Sequence, residues 1–375
     1  GTRRRGVPLP PVDRARRPVQ RPRAFPSGRR RVRVRASLLP PPGRTVAGGA
    51  RTYMLAVEWP LLRAALDEAP PRAQEGDADA SPPPHTPDGA RLAAAKARVP
   101  AARAACGEAR WRALTDTAVP RAPRPAVASR AYHKLREILR TCALPLPRAS
   151  LHLCEAPGGF VQALADEVAD AARRPGAATE WRWVAASLQS AGVPRPAHDL
   201  PLAHGAFVCD LPVAGDLLDA ACADALVERV GAAAVDLVTA DGAAAMDHAD
   251  VEGAHRALLL AQTRVALRCL REGGCFVIKY FEGAQPATLA WMARLTTRFD
   301  RVALVKPTTS RPTNSERYLV ARGYRCGSDA PTGWDPTAPR VAEAWLSEAR
   351  AIADRMAREQ TRALERALER ARGKG

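Results

Sequence analysis

From about Ala126 onward, short apolar runs alternate with longer stretches in which apolar residues recur every three or four positions. Leu151 to Leu153 reads as a strand and Val161 to Val168 as the helix that follows it. Trp183 to Leu188 and Val235 to Ala240 read as strands, and Ala254 to Leu270 as a long helix closed by Gly273-Gly274. Cys275 to Tyr280 is a strand, Thr288 to Phe299 a helix, and Arg301 to Lys306 and Glu316 to Ala321 are strands. Alternating strand and helix patterns predict an α/β domain whose mostly parallel, doubly wound sheet carries helices on both faces.

The pattern differs on either side of this block. Residues 1–50 are crowded with Arg, Pro and Gly, hold a single acid, Asp13, and offer too little apolar surface to bury a face. A disordered basic arm is expected there. Tyr53 to Leu66 is a short apolar stretch predicted to be helical. Ala69 to Gly89, with its Pro clusters and the acids Glu75, Asp77, Asp79 and Asp88, reads as a loop. Ala90 to Leu114 reads as a basic, Ala-rich helix with a break or kink at Pro100, and Pro120 to Pro125 stops it. Val341 to Arg372 is a charged helix. Four segments result: a basic arm (1–50), a helical extension with an acidic Pro-rich loop (51–125), the α/β domain (126–326), and a linker with a basic C-terminal helix (327–375).

Charge narrows the partners. With 57 Lys and Arg against 39 Asp and Glu the chain carries a formal +18, a balance that favours a polyanion, most commonly nucleic acid. No apolar run is long enough to span a bilayer. The eight cysteines form no CxxC pair, and His152 near Cys154 has no second pair to complete a zinc set, so they read as reduced core residues with no metal. The basic arm suits a phosphate-binding segment, a nuclear signal or an organellar transit peptide. The expected compartment is therefore nucleus or cytoplasm, or an organelle if the arm is a transit peptide.

One segment passes from strand through a Gly-rich turn into a helix: Leu151-His152-Leu153-Cys154-Glu155-Ala156-Pro157-Gly158-Gly159-Phe160. In doubly wound sheets ligands sit beyond the carboxyl ends of strands. Glycines let backbone approach a ligand closely, and the helix N-terminus favours a ligand carboxylate. No GxGxxG or GxxxxGK[ST] is present, which weakens dinucleotide and P-loop readings. This loop resembles motif I of the FtsJ-like methyltransferases, in the form closest to the branch that methylates cap-proximal nucleotides of messenger RNA. The resemblance implies a Rossmann-like methyltransferase fold and S-adenosylmethionine as cofactor. It would be held by Cys154, Glu155, Ala156, Pro157, Gly158, Gly159 and Phe160, with Asp210 on the adenine amino group and Asp241 nearby. The family commonly has Asp near the position of His152 or Cys154, and after the second strand only Ser187 stands where many relatives have an acid for the cofactor ribose.

Four further segments resemble the family's catalytic motifs, in family order. Ser129-Arg130-Ala131-Tyr132-His133-Lys134 places Lys134, and Asp236-Leu237-Val238-Thr239-Ala240-Asp241 places Asp241. Gly273-Gly274-Cys275-Phe276-Val277-Ile278-Lys279 places Lys279, and the long segment from Lys306 through Pro307, Arg311 and Ser315 places Glu316. The implied activity is 2′-O-methylation of RNA by a Lys-Asp-Lys-Glu tetrad. A ribose hydroxyl must lose its proton as it attacks a sulfonium methyl group, and a lysine can take that proton only when neutral. A second lysine nearby lowers its pKa. Lys279 is therefore expected to be the base, Lys134 its pKa-lowering and positioning partner, and Asp241 and Glu316 the orienting acids.

Arg130, Lys306 and Arg311, with Arg136, flank the tetrad in sequence and are candidate contacts for RNA phosphates or a cap. Arg358, Arg362, Arg366 and Arg370 fall four apart on one face of the last helix. Capped messenger RNA is the expected partner. A ribosomal RNA enzyme, possibly organellar, and a catalytically silent RNA-binding factor on the same fold are the rival readings.

Overall fold

The computed structural model describes residues 35–37, 54–56, 86–123, 126–173, 180–190, 192–197, 200–243, 250–326 and 343–373. Strands β1 (Arg35–Ser37) and β2 (Met54–Ala56) pair antiparallel. β1 lies within the arm expected to be disordered, and β2 within the stretch expected to be helical. Both expectations are corrected at those residues, because a pairing partner distant in sequence supplied what local composition did not. The rest of the arm, of 51–68 and of the Pro-rich loop before residue 86 falls outside the described residues, as do 327–342.

The Ala-rich stretch is three helices, α1 (Pro87–Ala97), α2 (Val99–Cys106) and α3 (Glu108–Thr115). Thr86 caps α1, accepting from Gly89 N at 3.2 Å, with proline in the first turn. Pro100 lies in the first turn of α2, and Gly107, at φ +82°, separates α2 from α3.

The α/β domain runs α4 (Ala131–Thr141), β3 (Ala149–Leu153), α5 (Gly159–Ala172), β4 (Arg182–Ala186), β5 (Gly205–Val208), α6 (Ala220–Val230), β6 (Val235–Ala240), α7 (Val251–Cys269), β7 (Leu270–Phe281), α8 (Pro286–Arg298), β8 (Phe299–Val305) and β9 (Glu316–Tyr324). A final helix, α9 (Glu343–Ala371), closes the described chain. The seven strands order as β5-β4-β3-β6-β7-β9-β8. β5 to β7 are parallel, and β9 runs antiparallel to both its neighbours.

Strand residues alternate between two cores, as the two-residue period of a pleated strand requires. Leu237, Cys275, Val277, Tyr318 and Val320 pack under α4 and α5, whereas Val238, Phe276, Ile278, Leu319 and Ala321 pack under α6, α7 and α8. The two extensions meet each other: Leu92 and Ala95 of α1 pack with Ala357 and Leu364 of α9, and Trp111 of α3 with Ala367 and Leu368. Among the described residues no helix is long and apolar enough to cross a membrane.

Candidate active site

The sheet order reverses between β3 and β6, whose carboxyl ends stand side by side, the position at which open α/β sheets bind ligands. The loop leaving β3 is bonded into the protein along its length. Cys154 turns the chain at φ +55°. Glu155 N donates to Ala186 O at 3.2 Å, Ala156 N to Ser187 Oγ at 2.7 Å, and Gly158 N to Glu155 O at 2.7 Å. Ser187 thus holds the loop.

The glycines serve a packing role that the sequence reading assigned to a ligand. A β-carbon on Gly159 would lie 2.4 Å from Ser129 Oγ and 3.0 Å from Tyr132 N, and one on Gly158 would lie 2.6 Å from the Leu200 side chain. The close approach is to the start of α4 and to Leu200. Glu155 caps the helix: its Oε1 accepts from Phe160 N at 2.7 Å and Val161 N at 3.0 Å, so this buried side chain takes two of the amides at the N-terminus of α5. Burial pushes the Glu155 carboxyl up to about 8 against the lowering effect of those amides, with Asp241 adding to the rise. Phe160 is fully buried with its ring against Tyr318, centroids 6.2 Å apart, and is a core residue. His152 is also internal: it bridges Ser150 Oγ and Thr239 Oγ1, each at 2.8 Å, tying β3 to β6, and burial lowers its pKa to about 3. The ring is therefore neutral.

Cys154 and Asp241 stand at the reversal itself. The Cys154 thiol is pushed up to about 12 by burial, opposed by Lys279 and reinforced by the charges of Asp241, Asp216 and Glu155. Asp210, after β5, has 70% of its side chain exposed and is paired with Arg229 at 2.8 Å. Asp216 is the acid near Cys154. Val213, Ala214 and Gly215 all have left-handed φ, at +49°, +51° and +80°, and fold the chain back over the end of β4, where Gln189 N donates to Ala214 O at 2.7 Å. Sequence pattern selected the first acid after the apolar run; three consecutive left-handed residues, only one of them Gly, had no sequence signal.

Lys134, Asp241, Lys279 and Glu316 converge. α4 is strongly amphipathic: Tyr132, Leu135, Ile138 and Leu139 are buried, and Lys134 reaches Glu316 with 2.7 and 2.8 Å to its two oxygens. On β7, Lys279 Nζ donates to Asp241 O at 2.7 Å and lies 3.2 Å from Asp241 Oδ1. The Tyr318 hydroxyl donates to the same Oδ1 at 2.7 Å, and Ser310 Oγ donates to Glu316 Oε1 at 2.9 Å. Burial would lower the Lys279 pKa, but Asp241 and then Glu316 reverse that and hold it above the ordinary value. The expected lowering by Lys134 is corrected, because each ammonium has its own carboxylate and the acids prevail. Burial would raise Glu316; Lys134, then Lys279 and Lys306, outweigh it and hold the carboxyl at about 2.

Beside these four residues Lys306 is lowered, to about 7, by burial and by the charges of Arg317 and Lys134, with Glu316 opposing. Its Nζ bonds Asn314 O at 2.9 Å, Glu316 O at 2.8 Å and the Asn314 side chain. Lys306 therefore braces the turn into β9 from inside, and a role on RNA is corrected on that ground. Glu137, one turn after Lys134, accepts from the amides and hydroxyls of both Thr308 and Thr309 at 2.6 to 3.0 Å. The sequence reading passed over it, although its i, i+3 spacing from Lys134 puts both on one helix face. Arg311 and Arg130 meet on one carboxylate: Asp116 Oδ1 is 2.5 Å from Arg311 Nε and 3.9 Å from Arg130. Arg136 is spent on Glu167 and Asp170.

A family model described as FtsJ-like methyltransferase matches residues 127–324. The cap-specific mRNA (nucleoside-2′-O-)-methyltransferase 2 of Drosophila melanogaster is 33% identical over 234 residues, covering 58% of this chain and 32% of that protein. The cap-specific mRNA (nucleoside-2′-O-)-methyltransferase 1 of Trypanosoma cruzi is 30% identical over 210 residues, covering 52% of this chain and 56% of that one. The chain thus spans between about a third and just over half of these relatives' length. A solved ribosomal RNA methyltransferase of Plasmodium falciparum superposes with a TM-score of 0.38 at 19% identity, over 52% of this chain and 98% of that one.

Proposed function

The chain belongs to the FtsJ-like methyltransferases, and from that premise we propose that it transfers a methyl group from S-adenosylmethionine to a ribose 2′-hydroxyl of RNA, at a cap-proximal nucleotide of messenger RNA. The observation that carries the reading is the pairing of Lys134 with Glu316 and Lys279 with Asp241 beside the sheet reversal. The donor set fits the cofactor, whose sulfonium and ammonium are cations: Asp241 and Asp216 both bring negative charge to the Cys154 thiol just beyond β3. Cys154, Ala156, Pro157, Asp216 and Asp241 would hold it, with Asp216 taking the place that the sequence reading gave to Asp210. The bound group supplies an electrophilic methyl on sulfur.

The protein's own part is to hold the ribose oxygen in line and manage its proton. Protonated, Lys279 stabilises negative charge growing on that oxygen; neutral, it takes the proton. Its two acids favour the first state, so transfer speeds up as pH rises. Lys134 and Glu316 position the ribose end of the site, with Glu137 fixing Thr308 and Thr309 behind them. Arg130 and Arg311, joined on Asp116, form the site for an RNA phosphate, which resembles a carboxylate in charge and geometry. The names of the cap-specific relatives support messenger RNA as substrate, and with it a nuclear or cytoplasmic place of work.

The test is labelled methyl transfer to matched capped and uncapped RNAs and to structured ribosomal fragments. Transfer that depends on the cap is expected. Cap-indifferent transfer favouring the ribosomal fragments would move the substrate to ribosomal RNA, and RNA binding without transfer would leave a silent binding factor.

A further inference from the structure

Glu316 is the first residue of β9, so the turn before it sets where its carboxylate lies. That turn is fixed from two sides. Glu282, just beyond β7, donates its amide to Ser315 O at 3.1 Å and accepts from the Ser315 hydroxyl, also at 3.1 Å. From the opposite side comes α9. Gln360, 4% exposed, donates Nε2 to Thr313 O at 3.1 Å and to Ser315 Oγ at 3.0 Å. Glu282 also pairs with Lys96 of α1. Helices from both extensions therefore reach the same turn, immediately before a tetrad residue.

Gln360 is an expensive residue at this position. Its Oε1 is buried with no hydrogen-bond partner among the described residues, so the amide bears a desolvation penalty that nothing offsets. Its neighbours along the buried face of α9, Ala353, Met356, Ala357, Ala363 and Leu364, are apolar, and a leucine would continue that face without the penalty. The amide's donor half is what an apolar residue could not supply.

We propose that Gln360 is a positioning residue: it holds the Thr313–Ser315 turn, and through it the Glu316 carboxylate, against Lys134 and Lys279. The C-terminal helix is then part of the catalytic unit and not an appendage for RNA. This rests on the methyltransferase reading above, since it concerns the same tetrad.

The test uses the full chain with Gln360→Leu, Ser315→Ala and the double substitution. Ser315→Ala removes the Gln360 contact from the other end, together with the hydroxyl's bond to Glu282, and leaves α9 unchanged. Each single variant is expected to lower kcat about 10- to 100-fold, the effect of displacing a catalytic group by up to about 1 Å, with KM for RNA and for S-adenosylmethionine within about twofold. The double variant should fall well short of the product of the two single effects, because the substitutions share the Gln360–Ser315 bond and differ only in the Thr313 and Glu282 contacts. Backbone amides of residues 314–317 should exchange faster while those of α7 do not change. A folded variant with kcat within about twofold of the parent, or a uniform rise in exchange, would overturn the proposal and leave Gln360 a packing residue. If Gln360→Leu does not fold, Ser315→Ala decides by the same criteria. If the unsubstituted protein methylates no RNA, the methyltransferase reading fails by itself; local exchange at 314–317 then supports the positioning of the turn, and its absence overturns it.

Discussion

Replacing Glu316 with Gln keeps the side chain's shape and removes its charge. Glu316 is a carboxyl with only 10% of its side chain exposed, held at about 2 against an ordinary 4.5. Burial works against the charge, so the net lowering measures how strongly Lys134, and then Lys279 and Lys306, favour it. A difference of two to three pKa values corresponds to roughly 3 kcal/mol at neutral pH, within the range for breaking a buried ion pair by removing one partner. The sign follows from the direction of the shift. A carboxyl depressed in the folded state contributes its stability above its unfolded pKa and loses it as pH falls through the folded value. The parent protein should therefore lose stability relative to Glu316→Gln between about pH 5 and pH 2, and on the order of 1 kcal/mol of the difference should be gone by about pH 3.5. Urea unfolding of both proteins from pH 7 down to pH 3.5 reads this directly. A gap between them that stays constant across that range would refute the reasoning, because Glu316 would then hold no charge that folding favours.

Three other expectations can be checked with single variants or one profile. Gly159→Ala should destabilise the fold by about 1–3 kcal/mol, since its β-carbon would meet Ser129 Oγ at 2.4 Å; a thermal midpoint unchanged from the parent would show that α4 can yield. Asp116→Asn frees Arg311 and leaves Arg130 on Thr117 and Thr309, so RNA affinity should rise several-fold and the slope of log affinity against log salt should steepen by about one charge; weaker RNA binding would mean that Asp116 only braces the loop. Because Lys279 is held above the ordinary lysine value, the rate of transfer under saturating substrate should climb about tenfold per pH unit between about pH 6 and pH 9, whereas a plateau near neutrality would assign the base elsewhere.

The strands were legible because each is a short apolar run ending at a polar residue or glycine, and Val235–Ala240 came out with the same bounds in both readings. Ends elsewhere moved by a few residues: β9 extends to Tyr324 because β7 and β8 pair with it along its whole length. β5 was passed over as a strand: Gly205–Val208 is only four residues long and lies at the edge of the sheet. Motif order singles out Lys134, Asp241, Lys279 and Glu316, which converge in the fold, but it says nothing of their protonation. Whether a second lysine lowers Lys279 depends on where the carboxylates stand, and only the packing of α4 against β9 fixes that. Lys306 illustrates the same limit, since a lysine flanking a motif looks like a surface charge until its ammonium is found among carbonyls. Gln360 lies 44 residues beyond Glu316 in the chain and carries no motif, so nothing in the sequence joined it to the site.

The central claim is that Lys279 and its partners methylate a ribose oxygen. It is tested by transferring labelled methyl from S-adenosylmethionine to capped RNA, digesting the product to nucleosides, and repeating the reaction with Lys279→Ala. The account predicts label in a 2′-O-methylated nucleoside and a loss of at least about a thousandfold in kcat for the variant, an effect on chemistry and not on binding. Label on a base, or a Lys279→Ala protein that retains transfer within a few-fold of the parent, would contradict it.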